Sequence, residues 1–455
     1  MSQVINGVLI SLCALIVWRQ YRKEPVRGLC LAFFLLVSMP DSLSVSLPIG
    51  LPTVSVHRAL VAVLFFCALG SSSESRRLTQ MSFGSILLWT AGSCLVSTIL
   101  SLFFIISAKQ YLYFIIEVLG TFWIVRTSIK SADDGRRLLN WIGAGFAFVA
   151  TVAIIEWYTG LRVGDLFPRG ADERFDLIEH SRTEVTGTYV HRILLGLACA
   201  LGALKYLQDL SSDDSKTRKG ALLLGAVLCL AALYFSMSRG PWLAFGVGCV
   251  ALFMTMGARS IKWGLIVGLL VFLVVLIRPG VWLTIFGLGS ATFDPTSLKG
   301  SSFQWRFVVI DTALSAMSKT GILNMLFGFG GGSQIVTDFG KYEIEPGIWL
   351  SIKSWDCEYA AVLYDKGCVG LFLLLLLSVV GLIRVARLVR GAADNDTRSV
   401  ATSVLVGLLF FAVARTNVAI YAPQLVYVEM AFFGLGSALL DKAVRMSRKR
   451  VGHSP

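Results

Sequence analysis

The sequence predicts an all-α polytopic membrane protein with about 12–14 transmembrane helices, and two observations support this prediction. Of the 455 residues, 55% are hydrophobic, and the mean hydropathy is +0.72. Runs nearly free of charge, such as 264–277, 371–383 and 399–414, approach with their flanks the ~20 residues that a spanning helix needs. Since no polar segment is long enough for a second domain, residues 1–455 are expected to form one integral membrane domain.

The candidate helices follow one another along the chain. Apolar runs lie near residues 4–18, 28–39, 55–70, 83–106, 110–126, 138–157, 190–207, 220–237, 241–257, 262–278, 366–383, 399–417 and 425–441. The first run has no basic segment before it and no small-residue cleavage site after it, so it predicts a retained helix and not a signal peptide. Residues 279–358 fall in the one long gap and are expected to form a large structured loop.

The distribution of charge predicts the orientation. The net charge is +13, and alternate short connections are rich in Lys and Arg. By the positive-inside rule these connections are cytoplasmic, together with the C-terminus. Loops 158–189 and 279–358 then lie outside the cytoplasm. Because the basic residues follow the topology, we expect no nucleic-acid partner.

Neither a metal nor a cofactor is expected. Most of the nine cysteines lie inside apolar runs, the four histidines are scattered, and no pair has metal-ligand spacing. We also find no internal repeat of the kind common in secondary transporters.

The segment Ser238-Arg239-Gly240 separates two apolar runs. The Arg239 guanidinium stays protonated, and its cost at membrane depth must be offset by water, a carboxylate or an anionic ligand. Gly240 and Pro241 predict a break between two helices at the same point. The N-terminus of a helix beside a guanidinium group favours the binding of phosphate, because both offer hydrogen-bond donors to its oxygens. The alternative is an arginine that reaches out to lipid headgroups.

A second cation, Arg306, lies in the long outer loop. Residues 301–317 predict an amphipathic helix on the membrane surface, with Arg306 beside its apolar residues. The glycine-rich segment 327–333 that follows lacks the Lys-Ser/Thr of a P-loop, and it predicts either an anion-binding nest or a tight turn.

Four more polar residues lie at the outer ends of predicted helices. Asp356 and Tyr359 share a face if a helix begins there, although an aspartate at a helix start is usually an N-cap. His191 and Arg192 precede another apolar helix, where contact with headgroups is the alternative to a role in substrate binding.

Charges within the apolar runs need partners. Arg415 and Glu429 fall at similar depth on one helical hairpin, so we predict a structural ion pair. Glu117 lies inside a further run, and the sequence names no partner for it.

The order of these motifs resembles the O-antigen ligase and Wzy-type polysaccharide polymerase superfamily. The resemblance covers about residues 180–385. Its motifs are Arg182-x-x-x-x-Gly187-Thr188-Tyr189-x-His191, Ser238-Arg239-Gly240, Arg306 with Gly328-Phe329-Gly330, and Asp356-x-x-Tyr359 with Gly367-x-x-Gly370. Ligases carry a histidine at the position of Asp356, and the pattern here looks more like exopolysaccharide polymerases.

The resemblance implies a GT-C-type membrane glycosyltransferase in the bacterial inner membrane. Its donor would be a glycan on undecaprenyl pyrophosphate, used without metal. Arg239 and Arg306 would bind the pyrophosphate, and Asp356 would be the base. The remaining substrate-binding candidates are Arg182, His191, Arg192 and Tyr359.

These implications lead to one expected function and two alternatives. The expected function is polymerisation of lipid-linked repeat units at the periplasmic face, with inversion because no second carboxylate stands out as a nucleophile. The alternatives are a ligase that transfers the glycan to a lipid A core or to protein, and a transporter or flippase of lipid-linked sugars. Expected partners are membrane lipids and, from the same pathway, a flippase and a chain-length regulator.

Overall fold

The computed structural model describes residues 2–451, apart from 47–52, 72–79, 167–184, 213–215, 258–260, 267, 270–297, 338, 340, 346–347, 352–354, 356 and 421–422. The predictions for Arg182 and Asp356 therefore lie outside the described residues.

Helices account for most of the described chain. They are α1 (Ser2–Lys23), α2 (Pro25–Ser38), α3 (Val56–Ser71), α4 (Gly84–Ile99), α5 (Phe104–Phe114), α6 (Thr121–Ser128), α7 (Ala132–Thr159), α8 (Arg192–Ser212), α9 (Lys216–Phe235), α10 (Arg239–Met256), α11 (Leu298–Ser318), α12 (Ile322–Phe327), α13 (Ser333–Val336), α14 (Glu358–Gly391), α15 (Asn395–Ala414) and α16 (Pro423–Val451). A π-helix, Ile115–Gly120, joins α5 to α6, and a 3₁₀ turn covers Val163–Leu166.

The described strands form two small antiparallel hairpins. In the first, β1 (Ser44–Val45) pairs with β2 (Val54–Ser55). In the second, β3 (Lys341–Glu345) pairs with β4 (Ile348–Ser351), with an irregular register between Glu343 and Glu345.

The all-α polytopic prediction is confirmed. Within the described residues, nine helices are long and apolar enough to cross a membrane, and α2, α3 and α4 are shorter apolar helices. The predicted run near 262–278 is helical at 261–266, and its second half lies outside the described residues.

The core runs through the whole bundle, from α1 to α16. The most enclosed spans are α16 and α8, with 89% and 78% of their apolar windows buried, against 22% for α1. Glycines allow this close packing, because a Cβ on Gly202 would lie 2.8 Å from Phe146 and one on Gly434 would lie 2.8 Å from Val125. The two enclosed helices therefore form the centre of the bundle.

One end of the bundle, which we call the hairpin end, carries β1 and β2. Asn6 near the start of α1 donates to the carbonyl oxygen of Ser44 at 3.0 Å, so the N-terminus of α1 also lies there. The connections from α4 to α5, from α9 to α10 and from α15 to α16 are at the same end, because successive spans alternate in direction.

The opposite end, which we call the basic end, collects the Lys- and Arg-rich connections. Arg126 Nε donates to Asp441 Oδ2 at 2.8 Å, and Arg137 lies 3.7 Å from Glu24. The structure thus brings together connections that the positive-inside rule assigns to one side of the membrane.

The long loop before α14 carries helices α11 to α13 and packs on the start of α14. Helix α11 covers the segment of the predicted amphipathic helix, but apolar residues lie on both its buried and its exposed face, so the predicted amphipathic pattern is wrong. Val309 and Ala313 on one face are buried against Ala360 and Ala361. Phe307 on the other face is exposed, which suits the predicted membrane-surface position.

The glycine-rich segment wraps around a kink in α14. Asp365 accepts hydrogen bonds from the backbone N–H of Gly332 at 2.8 Å and of Gln334 at 3.1 Å. Gly328 and Gly367 have φ of +76° and +69°, and a Cβ on either would overlap the backbone of the other segment. Of the two interpretations of this segment, the structure favours a nest whose anion is the protein's own Asp365.

Candidate functional site

The predicted helix break at Ser238-Arg239-Gly240 is present. Helix α9 ends at Phe235, Met237 adopts a left-handed φ of +49°, and α10 begins at Arg239. Pro241 lies in the first turn of α10, where its missing N–H costs no helical hydrogen bond. The break therefore places Arg239 at the N-terminus of a helix, half-buried, at the hairpin end.

Arg192 begins α8 close to this break. A Cβ on Gly196, one turn into α8, would lie 2.7 Å from Pro241 Cγ. The Nδ1 atom of His191 accepts the backbone N–H of Ile193 at 3.2 Å, so the imidazole caps α8.

The segment before α8 is held by Glu156 at the end of α7. Its carboxylate accepts the backbone N–H of Thr186 at 3.2 Å and of Gly187 at 2.6 Å. Two bonds from one buried carboxylate fix the path of the chain that leads to His191 and Arg192.

Arg306 approaches from α11 and meets the loop after α15. Its Nη2 donates to the carbonyl oxygen of Asn417 at 3.3 Å, while its buried Nε has no hydrogen-bond partner within the described residues. A Cβ on Gly240 would lie 3.0 Å from Asn417 Cβ. Asn417 therefore joins Arg306 to the first turn of α10.

Arg192, Arg239 and Arg306 form what we call the arginine cluster. Arg239 lies within electrostatic range of both other guanidinium groups. Like charges at such a range repel, and an anion placed among them would offset the repulsion. The helix start at Arg239 adds backbone N–H groups to the same place. The structure therefore brings together three of the predicted substrate-binding arginines.

The start of α14 lies next to Arg306 through the packing of α11. Cys357 occupies the N-cap position and makes no side-chain capping bond. Tyr359 donates its hydroxyl to the carbonyl oxygen of Ala412 at 2.8 Å, which anchors α14 on α15. Its substrate-binding role stays a prediction, as does the role of Asp356 as a base.

The predicted ion pair of Arg415 and Glu429 is present and has a third member. Arg415 Nη2 donates to Glu429 Oε2 at 2.6 Å, and Arg415 Nε donates to Glu358 Oε2 at 3.1 Å. Glu358 also accepts the backbone N–H of Ile420 at 3.3 Å. All of these contacts serve to join α14, α15 and α16.

Glu117, for which the sequence named no partner, is paired with Arg58. Arg58 Nε donates to Glu117 Oε1 at 3.0 Å, and its guanidinium lies 3.4 Å from the centre of the Tyr113 ring. Glu117 lies in the π-helix, a local distortion often found at functional sites.

Metal binding has no evident ligand set in the described part of the chain. No group of three or more His, Cys, Asp or Glu side chains there is placed to hold an ion. Metal-independent chemistry stays a prediction.

Comparison with known families gives one match. Residues 224–375 match the family model described as O-antigen ligase, Wzy_C. This match confirms the resemblance to the O-antigen ligase and Wzy superfamily. The matched segment includes Arg239, Arg306 and the start of α14, whereas Arg192 lies before it. No curated protein matches the chain.

Sequence reasoning missed Asn417 and Arg58. Asn417 acts through its backbone carbonyl, which carries no sequence signal. Arg58 lies in an apolar run, and its charge opposite to that of Glu117 was the one available clue to the pair.

Proposed function

We propose that this protein is a membrane glycosyltransferase of the GT-C type that joins undecaprenyl-pyrophosphate-linked repeat units. The arginine cluster is the observation that carries the proposal. It places like charges and a helix N-terminus at one point, next to α14, in a chain whose residues 224–375 match the O-antigen ligase family.

The arginines would bind the pyrophosphate and stabilise it as it leaves. Charge-assisted bonds from guanidinium groups to phosphate oxygens are strong and can be bidentate. Charge develops on these oxygens as the glycosidic bond to phosphate breaks, so fixed cations lower the barrier without a metal.

A base must activate the acceptor, because a sugar hydroxyl is a weak nucleophile. In the sequence, Asp356 comes immediately before Cys357, the N-cap of α14. A carboxylate within hydrogen-bond reach would remove the proton as the new bond forms. A single displacement at the anomeric carbon inverts its configuration.

The test is a reaction of purified protein with the lipid-linked repeat unit alone. We expect a ladder of longer lipid-linked glycans. A single transfer to added lipid A core or to protein would instead identify a ligase, which the description of the matched family makes the second candidate. If no new glycosidic bond forms with any acceptor, the proposal fails.

The proposed orientation places the hairpin end in the periplasm and the basic end in the cytoplasm. Fusions of a topology reporter at Asp213 and at Ser333 should give opposite signals, cytoplasmic for Asp213 and periplasmic for Ser333. Equal signals from the two fusions would overturn the orientation and with it the periplasmic site.

A further inference from the structure

A cavity of about 500 Å³ opens beside the arginine cluster and does not include it. It lies at the hairpin end between α3, α4, α5, α14 and α16, and Gly331, Gly332 and Gln334 form part of its wall. The volume falls within the ~300–1,000 Å³ typical of small-molecule sites. The side chains that line the cavity differ in charge and in type from those of the arginine cluster.

The charged side chains that line the cavity are largely paired, and acidic side chains outnumber basic ones. The lining carries five carboxylates and three cations. Arg58 is held by Glu117, and Arg415 is held by Glu358 and Glu429. A pyrophosphate would meet more acidic than basic side chains here, and two of the three cations already bind carboxyl groups, so this lining does not suit an anion. It does suit a ligand with many hydroxyl groups, which donate to carboxylate oxygens.

Aromatic rings and one unused acceptor support the same class of ligand. Tyr111, Tyr113 and Phe114 line the cavity from the side of α5. Gln334 also lines it, and its buried Oε1 has no hydrogen-bond partner among the described residues. A buried acceptor of this kind is normally satisfied, and rotation of the Gln334 side chain into the cavity would let a sugar hydroxyl satisfy it.

A thin wall separates the cavity from the arginine cluster. Arg415 faces the cavity, whereas Asn417 two residues later accepts from Arg306. Glu358 also lines the cavity, while its neighbour Cys357 packs in the cluster of buried residues that holds α11. A hydroxyl at the rim of the cavity would therefore be close to both the start of α14 and the arginine cluster.

From this geometry we infer that the cavity binds the uncharged sugar residues of the acceptor glycan. This inference rests on the proposed transfer activity and adds to it the place of the second substrate. The pyrophosphate of the donor binds in the arginine cluster, and the acceptor hydroxyl reaches the reacting carbon at the rim of the cavity, beside the start of α14.

The test uses a soluble acceptor that has no lipid and no phosphate. The probe is the repeat-unit oligosaccharide released from its lipid by mild acid and labelled with a fluorophore at its reducing end. With the lipid-linked repeat unit as donor, we measure the rate of extension of the labelled probe and the KM of each substrate.

Two variants address the cavity. Gln334→Leu removes the unused acceptor and should raise the KM of the probe about 3–10-fold, the value of one hydrogen bond. Thr98 of α4 also lines the cavity. Thr98→Phe places a ring in it and should reduce extension of the probe more strongly. The KM of the donor should not change in either variant. Gln20→Leu, near the basic end, is the matched control and should behave as the wild type. An unchanged KM for the probe in Gln334→Leu, or an equal rise for the donor, would overturn the inference.

Direct binding separates this inference from the proposed function. Saturation-transfer NMR should show the probe bound to the wild type and to Arg239→Ala, and weakened in Gln334→Leu. This result would stand even if the wild type formed no glycosidic bond. A probe that fails to bind the wild type, or binds Gln334→Leu equally well, contradicts the carbohydrate site.

Discussion

The arginine cluster and the neighbouring cavity are both charged, but their charges are arranged in opposite ways. Arg239 lies in the field of two other arginines. In the cavity, each of Arg58 and Arg415 instead donates to a carboxylate at 3.0–3.1 Å. Paired charges hold helices together and leave polar oxygens for a neutral ligand, whereas like charges favour an anion. Charge alone is thus a poor guide to function, and the sign of the neighbouring charges is the better one.

The loop after α15 shows how close the two arrangements are. Arg415 is a structural cation that joins three helices. Asn417, two residues later, accepts a hydrogen bond from Arg306, to which we assign a role in substrate binding. Substitution of Arg415 should therefore lower thermal stability, whereas substitution of the substrate-binding arginines should lower activity.

The largest expected effect is on the base. Asp356→Asn keeps size and polarity but removes the proton acceptor, so the rate of chain extension should fall by about 10²–10⁴-fold. Thermal stability should not change. Asp356→His should recover part of the rate. The measurement is chain extension by purified protein, with thermal unfolding as the check on folding.

Glu358→Gln is the matched control for that variant. Arg415 and the backbone N–H of Ile420 both donate to the Glu358 carboxylate. Replacement of this carboxylate in Glu358→Gln should therefore lower thermal stability. Near-normal extension by Asp356→Asn would remove Asp356 from the mechanism.

The next effect concerns Arg239. Arg239→Ala should lower extension by about 10²–10³-fold, the range seen when one fixed donor to a developing charge is lost. Arg239→Lys should recover little, since an ammonium lacks the planar fork of the guanidinium. If the alanine variant extends chains normally, the arginine only contacts headgroups.

The third prediction compares two arginines by stability. Arg415→Met leaves Glu429 buried without its cation, and breaking such a pair costs about 3–5 kcal/mol. Arg239→Met should cost less, because Arg239 is only half-buried, whereas Arg415 is almost fully buried between two carboxylates. Thermal unfolding in detergent measures both. Equal losses would show that the two cations have the same structural role.

The smallest expected effect is that of metal removal. Exhaustive chelation should leave chain extension unchanged, because fixed guanidinium groups neutralise the leaving pyrophosphate. Loss of activity that Mg²⁺ or Mn²⁺ restores would show that the arginines do not suffice.

The fold was largely predictable from the sequence, because a bilayer imposes strong rules on length and hydropathy. The helix break at Arg239 and the pair of Arg415 with Glu429 were predictable for the same reason. The π-helix at Glu117 was not, since it depends on how α5 and α6 pack.

The candidate site was predictable in its residue types but not in its assembly. Three arginines from distant segments meet only because α8, α10 and α11 converge on Asn417 and Pro241. Whether the glycine-rich segment forms an anion nest or a tight turn also could not be read from the sequence, because the answer depends on the position of Asp365 after folding.

The most direct test of the division between cluster and cavity is the affinity for undecaprenyl pyrophosphate without sugar. We expect the wild type and Gln334→Leu to bind it equally, and Arg239→Ala to bind it at least about tenfold more weakly, since one bidentate guanidinium contact is lost. If Gln334→Leu loses the lipid and Arg239→Ala keeps it, the pyrophosphate binds in the cavity and the assignment of the arginine cluster is wrong.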